Sequence, residues 1–253
     1  MNVEGLGAIV TGGASGLGGA TAAMLARRGA RVTIFDLNEE AGNAHARAIG
    51  GRFAKVDVTN DEAVTSAVAA AEEAHGVTRI LVNCAGIAIA QKTVGRDGSP
   101  HNLAQFRKVL EINLVGSFNV IAKVAARLVP ANLIGEERGV IINTASVAAF
   151  EGQMGQVAYA ASKGGIHAMT LPLARDLAQS AIRVCTIAPG IFWTPMLAGL
   201  PEEAQASLGK QVPFPSRLGS PDEYAELASA IISNPMLNGE TIRLDGAIRM
   251  APR

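Results

Sequence analysis

Two residues that could exchange protons with a substrate, Tyr159 and Lys163, stand four positions apart. A helical pattern surrounds them, so both side chains project from one face of a predicted helix. A phenol has an ordinary pKa of about 10, and only nearby cations would bring it toward neutrality. The same spacing is common on ordinary helices, where it carries no chemistry. Ser146 ends the fifth predicted strand, and its hydroxyl could donate to a carbonyl oxygen as charge develops there.

The segment from Thr11 to Gly18 reads TGGASGLG and lies between the first predicted strand and the first predicted helix. Glycines at 12, 16 and 18 let the backbone turn tightly and approach a pyrophosphate at the positive end of the helix. No GK[ST] follows, so the pattern is not that of a triphosphate-binding loop. A plain tight turn is the alternative, and the strand before and helix after disfavour it. The pattern predicts a dinucleotide site.

Asp36 ends the second predicted strand, 18 residues past Gly18. A carboxylate there can accept hydrogen bonds from both hydroxyls of an adenosine ribose and repel a 2′-phosphate. Neither neighbour, Leu37 nor Asn38, is basic, so NAD is predicted over NADP. The alternative is that Asp36 caps the next helix, although Asn38 could supply that cap instead.

Two further segments, Asp57-Val58 and 83–86 (NCAG), close the third and fourth predicted strands. Both present backbone along the same edge as the glycine loop. Spacing alone leaves cofactor contact and simple strand termination equally open.

Seven short apolar runs alternate with longer helical patterns. The runs are Ala8–Val10, Val32–Phe35, Phe53–Val56, Ile80–Val82, Val140–Ile142, Val184–Ile187 and Thr241–Leu244. Their continuous apolar character indicates strands covered on both faces, joined by right-handed crossovers. The predicted fold is α/β, a Rossmann-like doubly wound parallel sheet of seven strands in one domain, residues 1–253.

Three segments fit neither element. Residues 91–102 and 130–139 carry turn signals and are interpreted as surface insertions. Residues 190–218 follow the sixth strand, contain several prolines and are predicted to be a lid over the carboxyl ends of the strands. The apolar residues of this lid could face the cleft or form a small core under a loop; they are Met196, Leu197, Leu200 and Phe214.

Composition excludes several classes of protein. The 22 Lys+Arg balance 22 Asp+Glu, so nucleic acid is not an expected partner. No apolar stretch of about 18 residues lacks charge and glycine, so no membrane association is expected. Cys84 and Cys185 lie far apart, which favours a reduced compartment. No metal site is predicted, because the four histidines lack ligand spacing with the cysteines: His45, His75, His101 and His167.

The runs at 11–18, 83–86 and 159–163 (YAASK), with Asn113, Ser146 and Pro189-Gly190, resemble the short-chain dehydrogenase/reductase family along the whole chain. The runs at 143–153, 162–166, 211–219 and 238–250 resemble the branch of that family that acts on 3-hydroxyacyl-CoA and 17β-hydroxysteroids. The resemblance implies an NAD-dependent oxidoreductase that interconverts a secondary alcohol and a ketone, with a short or branched-chain 3-hydroxyacyl-CoA as substrate.

The resemblance also implies roles for individual residues. Tyr159 would be the catalytic acid/base, Ser146 would hold the substrate oxygen, and Lys163 would bind the nicotinamide ribose and lower the pKa of the phenol. Asn113 would hold a water on a proton relay behind Lys163, and Gln156 would lie near the substrate. The implied NAD contacts are Gly12, Ser15, Gly16, Leu17, Gly18, Asp36, Asp57, Val58, Asn83, Cys84, Ala85, Gly86, Tyr159, Lys163, Pro189, Phe192 and Thr194.

One departure from the family is Trp193, a bulky residue where relatives often have a smaller one. It would either narrow the pocket or pack the lid on the body of the protein.

Other functions share much of this pattern. A 3-oxoacyl-carrier-protein reductase that uses NADPH shares the catalytic serine, tyrosine and lysine. Asp36 and the 91–102 insertion disfavour this alternative. A hydroxysteroid dehydrogenase and a non-catalytic NAD-binding scaffold are the further alternatives. The family resemblance implies a homotetramer, with residues 246–253 near neighbouring subunits, and the N-terminal sequence favours the cytoplasm over the mitochondrial matrix.

Overall fold

The computed structural model describes residues 1–194, 197 and 202–252, in which parallel strands form one sheet between two layers of helices. The strands are β1 (Gly7–Thr11), β2 (Arg31–Asp36), β3 (Arg52–Lys55), β4 (Thr78–Asn83), β5 (Gly139–Thr144), β6 (Ile182–Pro189) and β7 (Thr241–Leu244). The α-helices are α1 (Gly16–Arg27), α2 (Glu39–Ala48), α3 (Asp61–His75), α4 (Leu103–Leu110), α5 (Gly116–Leu128), α6 (Val157–Leu177), α7 (Glu202–Lys210) and α8 (Pro221–Ser233). A π-helix (Glu111–Val115) joins α4 to α5, and 3₁₀ turns occupy Val147–Ala149 and Ala178–Ser180.

The strand order is β3-β2-β1-β4-β5-β6-β7, and every pairing is parallel. Strands β2 and β3 follow outward on one side of β1, and strands β4 to β7 follow outward on its other side. The carboxyl ends of β1 and β4 therefore flank the point where the order reverses, and open α/β sheets bind ligands in the crevice there. The predicted doubly wound parallel sheet is confirmed.

Apolar side chains cover both faces of the sheet, as the continuous apolar runs predict. Val10 points into a core formed with α1 and α8, where Leu25 and Ile231 are fully buried. Its neighbour Ile9 points to the other face, into a core with α3 and α5 that contains Val124. Successive residues of one strand thus serve opposite cores, because side chains alternate across a sheet.

Three predicted strand ends lie two or three residues beyond the observed ones. β4 ends at Asn83, so residues 84–86 follow the strand. β3 ends at Lys55, the partner of Asp36 on β2, because β2 itself ends there. Asp57-Val58 therefore lies beyond the strand. β5 ends at Thr144, whose partner on β6 is Ile187. Ser146 consequently lies past the strand and caps the 3₁₀ turn Val147–Ala149, its Oγ accepting from the Ala148 amide at 3.1 Å.

The continuous helical segment Leu103–Leu128 meets the length and composition criteria of a membrane span, with a mean hydropathy of 1.4. Its buried face lies against the sheet through Val120, Val124 and Leu128. It also carries Arg107, Lys108, Lys123 and Arg127. The buried apolar residues of this segment thus form part of the protein core.

Candidate functional site

A cavity of about 870 Å³ runs along the carboxyl edge of the sheet, from the end of β2 to the ends of β5 and β6. The structure brings most of the predicted site residues to its wall. These are Gly12, Ser15, Gly16, Leu17, Gly18, Asp36, Asp57, Val58, Cys84, Ala85, Gly86, Ser146, Gln156, Tyr159, Lys163, Pro189, Phe192 and Thr194. Asn83 and Asn113 lie behind the wall.

The glycine loop forms one part of this wall because side chains do not fit there. Gly12 has a φ of 63°, and a Cβ on it would lie 2.8 Å from the Ala85 amide nitrogen. A Cβ on Gly18 would collide with the carbonyl oxygen of Gly12. Ser15 occupies the N-cap position of α1, but its side chain makes no capping hydrogen bond. The first N–H groups of α1 are therefore left for an anionic ligand, and the residues fit a dinucleotide pyrophosphate.

The Asp36 carboxylate is fixed against the glycine loop. Its Oδ2 accepts from the Ala14 amide at 3.1 Å, and its Oδ1 accepts from the Asn38 amide at 3.0 Å. The helix cap is made by Asn38, whose Oδ1 accepts from the Ala41 amide at 3.1 Å, so Asp36 is not the cap. Each carboxylate oxygen retains an acceptor site, which leaves Asp36 able to accept from a diol.

Asn83 supports the wall without lining it. It is buried, its Oδ1 accepts from the Thr11 hydroxyl at 3.3 Å, and its Nδ2 donates to Asn143 Oδ1 at 3.0 Å. The Thr11 hydroxyl also accepts from the amides of Cys84 and Ala85 at 3.2 Å. Asn83 thus ties the end of β4 to its neighbours β1 and β5.

Ser146, Tyr159 and Lys163 meet at the centre of the cavity. Tyr159 and Lys163 both lie on α6, with the Lys163 Nζ 5.8 Å from the centroid of the phenol ring. That Nζ donates to the carbonyl oxygen of Thr144 at 2.7 Å. Because Ser146 Oγ accepts from the Ala148 amide, its own proton is available to the Tyr159 oxygen or to a ligand in the cavity.

Burial shifts the pKa of both titratable groups in this set. It raises the pKa of Tyr159, and a hydrogen bond with Ser146 only partly opposes that shift. Burial also lowers the pKa of Lys163 to about 8. The lowering of the phenol's pKa that the family resemblance implies is therefore not a property of the ligand-free site, because desolvation is the largest influence there.

Asn113 lies in the π-helix Glu111–Val115 and is completely buried. Its Oδ1 accepts from the Ile87 amide at 2.8 Å, and its Nδ2 donates to the Ile87 carbonyl at 2.9 Å and to Ser162 Oγ at 3.0 Å. These contacts join the segment after β4 to α6. The water relay implied for Asn113 stays a prediction.

Tyr224, the other tyrosine of the chain, lies beneath the site and was not singled out from the sequence. It is fully buried on α8, with its hydroxyl 2.7 Å from Thr144 Oγ1 and 3.7 Å from Cys84 Sγ. Thr144 Oγ1 donates to the Asn83 carbonyl at 2.6 Å, so it must accept from Tyr224. Burial raises the pKa of Cys84 and holds that of Tyr224 well above its usual range. A tyrosine within an apolar helical pattern is the one signal that could have indicated it.

The far end of the cavity is lined by residues from separate parts of the chain. Gln156 was implied by the resemblance, whereas Gln153 and Met250 were missed because nothing in their spacing places them near Tyr159. Lys108, on α4, was also missed; of the described lining residues it and Lys163 are the cationic ones.

The lid at 190–218 stays a prediction, and the structure describes only some of its apolar residues. Leu197 lines the cavity, as does Leu208 of α7, whereas Phe214 is 82% exposed and lines neither cavity nor core. Met196 and Leu200 lie outside the described residues.

Trp193 does not narrow the described cavity. Its backbone N–H donates to the Gly219 carbonyl at 2.8 Å, and its residue is 49% exposed. Its neighbours Phe192 and Thr194 both line the wall. Trp193 therefore belongs to the outer surface beside the lid.

Comparison with known proteins agrees with this geometry. A family model described as short chain dehydrogenase matches residues 7–205. Human 3-hydroxyacyl-CoA dehydrogenase type-2 is 56% identical over 99% of this chain and 98% of its own length. A 3-oxoacyl-[acyl-carrier-protein] reductase of Thermotoga maritima is 33% identical over 98% and 99%.

Among solved structures, 3-hydroxyacyl-CoA dehydrogenase type-2 from Mycobacterium avium superposes with a TM-score of 0.95 at 44% identity, covering 99% of this chain and 98% of that one. Family members use NAD or NADP. The sheet, the cavity and these matches together show that the chain is an oxidoreductase and belongs to the short-chain dehydrogenase family.

Proposed function

We propose that this protein is an NAD-dependent dehydrogenase that interconverts 3-hydroxyacyl-CoA and 3-oxoacyl-CoA. The observation that carries the proposal is one cavity with two distinct halves. The nucleotide half comprises the glycine loop, Asp36, Asp57 and Val58, and the substrate half comprises Gln153, Gln156, Leu197, Leu208 and Met250. Ser146, Tyr159 and Lys163 lie where the halves meet.

The nucleotide half would hold the dinucleotide. Asp36 would accept hydrogen bonds from the adenosine ribose, and the free N–H groups at the start of α1 would bind the pyrophosphate. When bound, oxidised nicotinamide supplies a positive charge beside the phenol and an acceptor for hydride from the carbinol carbon. Asp36 would lie against a 2′-phosphate, and this repulsion supports NAD over NADP.

The protein's own groups would move the proton. Ser146 donates to the substrate oxygen and fixes it beside the phenol, and Tyr159 accepts the hydroxyl proton as the carbinol carbon loses hydride. The ammonium of Lys163, held by the Thr144 carbonyl, stabilises the phenolate that this step requires. Because burial raises the pKa of Tyr159, oxidation should become faster as the pH rises above neutrality.

The acyl-CoA assignment is supported by full-length relatives that carry this name, and the apolar residues Leu197, Leu208 and Met250 offer a surface for an acyl chain. The Thermotoga maritima reductase is a relative at lower identity. Asp36 opposes an NADPH-dependent reductase because it would face the 2′-phosphate.

The test is reduction of NAD by purified protein with a series of 3-hydroxyacyl-CoA thioesters. We expect turnover with a short or branched chain, faster with NAD than with NADP. Tyr159→Phe should lower kcat by roughly 10²- to 10⁴-fold while calorimetry shows unchanged NAD binding, because the phenol transfers the proton. NAD binding without turnover of any thioester or hydroxysteroid would favour a scaffold. Faster NADPH-dependent reduction of a 3-oxoacyl carrier protein would favour the reductase.

We also propose that the protein is a homotetramer. Exposed apolar residues on the helical segment 103–128 support self-association: Leu103 (58% exposed), Val115 (45%) and Phe118 (50%). Light scattering after size-exclusion chromatography should give about four times the mass of the chain, and a monomer at micromolar concentration would contradict it.

A further inference from the structure

The substrate half is closed by two segments with no regular secondary structure. The C-terminal segment, residues 245–252, follows β7 and contributes Met250 to the cavity wall. The 150–156 loop precedes α6 and contributes Gln153 and Gln156. Neither segment is part of the sheet, so its position depends on the side-chain and backbone contacts that it makes with its neighbours.

A bidentate ion pair ties the 150–156 loop to β7, from which the C-terminal segment continues. Arg243, on β7, donates from Nη1 to Glu151 Oε1 at 2.6 Å and from Nη2 to Glu151 Oε2 at 2.9 Å. The side chains are only 21% and 26% exposed. Paired N–H groups fix the plane of the carboxylate, so this geometry sets an orientation as well as a distance.

Further groups extend the pair into a network of balanced charge. Arg243 Nε donates to Asp245 Oδ2 at 2.8 Å, and Arg249 reaches the same oxygen at 3.2 Å and Glu151 Oε1 at 3.5 Å. The Arg243 guanidinium also lies 5.1 Å from the centroid of the Phe150 ring. Two arginines and two carboxylates thus join the ends of both segments.

Hydrogen bonds to backbone groups also join the two segments. The Met154 amide donates to the Pro252 carbonyl at 3.0 Å, and Gln153 Nε2 donates to the Ala251 carbonyl at 2.9 Å. On the other side of the loop, the Gln91 amide donates to the Gly155 carbonyl at 2.8 Å. The loop therefore lies between the C-terminal segment and the insertion that follows β4.

We propose that the Arg243–Glu151 pair positions the substrate: it fastens the C-terminal segment to the 150–156 loop and so fixes the wall formed by Gln153, Gln156 and Met250. Glu151 and Arg243 are positioning residues, since neither lines the cavity. Ser146 is held instead by the 3₁₀ turn that follows β5, and Tyr159 by α6, so the pair should govern substrate affinity more than the chemical step. The kinetic part of this proposal rests on the proposed function.

The experiment compares Glu151→Gln and Glu151→Ala with Glu72→Gln, a control at a partly exposed Arg–carboxylate contact away from the cavity, Arg127–Glu72. With saturating NAD, we expect the KM for the 3-hydroxyacyl-CoA to rise about threefold in Glu151→Gln and about tenfold in Glu151→Ala. The kcat and the KM for NAD should stay within about twofold of wild type. Unchanged substrate KM, or equal losses in kcat and NAD affinity, would overturn the proposal.

The dependence of the substrate KM on salt tests the proposal independently, because added ions screen the partly exposed Arg243–Glu151 pair. The KM of wild type and of Glu72→Gln should approach that of Glu151→Ala as NaCl is raised, whereas Glu151→Ala should show only the salt dependence of the charged substrate. Parallel salt curves for all variants would contradict the role of the pair.

Hydrogen exchange separates this proposal from the proposed function, because it needs no substrate. In both Glu151 variants the amides of Met154 and Gln91 should exchange several-fold faster than in wild type, while the Gly12 amide, bonded to Phe35 O, should not change. Unaltered exchange at Met154 and Gln91 would overturn the positioning role. If the variants exchange faster but the wild-type protein oxidises no 3-hydroxyacyl-CoA, the structural role of the Arg243–Glu151 pair stands and only the assigned reaction is refuted.

Discussion

The two halves of the cavity are built in different ways. In the nucleotide half, backbone and short side chains from three successive strand ends form a cradle, and the Asp36 carboxylate contacts an amide only 22 positions away. In the substrate half, the wall joins residues near 150 to the end of the chain, and its ion pair connects residues 92 positions apart. The first half is set by local turns, whereas the second depends on packing of distant segments.

This difference has a chemical counterpart. A dinucleotide presents the same pyrophosphate and ribose in every reaction, so fixed backbone donors suit it. Substrates vary, and a wall held by side chains can be changed without disturbing the sheet. Three substitutions test how independent the halves are.

The largest effect is expected at Asp36, within the nucleotide half. Asp36→Ala removes the acceptor for the ribose hydroxyls and the repulsion of a 2′-phosphate. The preference for NAD over NADP, measured as a ratio of kcat/KM values, should fall about 10- to 100-fold. The KM for substrate should not change. An unaltered preference, or faster turnover of wild type with NADP, would contradict the role given to Asp36.

An intermediate effect is expected at Tyr224, which lies beneath both halves. Tyr224→Phe removes the donor to Thr144 and should lower the free energy of unfolding by about 1–2 kcal/mol, because a buried hydroxyl loses its partner. Thr186→Val is the matched control, since it removes a buried hydroxyl bonded to Thr170 at 2.6 Å elsewhere in the sheet.

Both variants should be destabilised in urea, but only Tyr224→Phe should also change kcat, because Thr144 holds Lys163 through its carbonyl oxygen. Equal kinetics for the two variants would show that Tyr224 serves stability alone.

The smallest effect is expected at Glu223, outside both halves. Arg217 donates to both of its carboxylate oxygens, at 2.6 and 2.9 Å, and the Ser220 amide also donates to it. These contacts lower the pKa of Glu223 to about 2. A carboxyl whose folded pKa is depressed stabilises the protein above its ordinary pKa of about 4.5, and this contribution is lost as the pH falls toward 2.

Glu223→Gln should therefore lower the free energy of unfolding by about 1 kcal/mol at pH 7. The difference from wild type, measured in urea between pH 7 and pH 2, should shrink through this window. A difference that stays constant with pH would show that the charge is not the cause. The KM values for NAD and substrate should match wild type.

Much of the fold could be predicted because its signals are local. The β1–α1 glycines need a positive φ or close backbone contact, and each apolar run forms a strand. The errors lie at strand ends: β3 ends beside Asp36, the last residue of β2, and β5 leaves its ladder with β6 after Thr144. Pairing between strands decides such ends, and no single strand's sequence contains it.

The site shows the same division. The strand–glycine loop–helix unit, the carboxylate at the end of β2 and the Tyr159–Lys163 spacing could be read from the chain, because turn geometry and helical periodicity act over a few residues. Three features depend on packing instead: burial raises the pKa of Tyr159, Tyr224 supports Thr144 from 80 positions away, and Arg243 holds Glu151. Desolvation and long-range hydrogen bonds exist only once the two layers of helices have closed on the sheet.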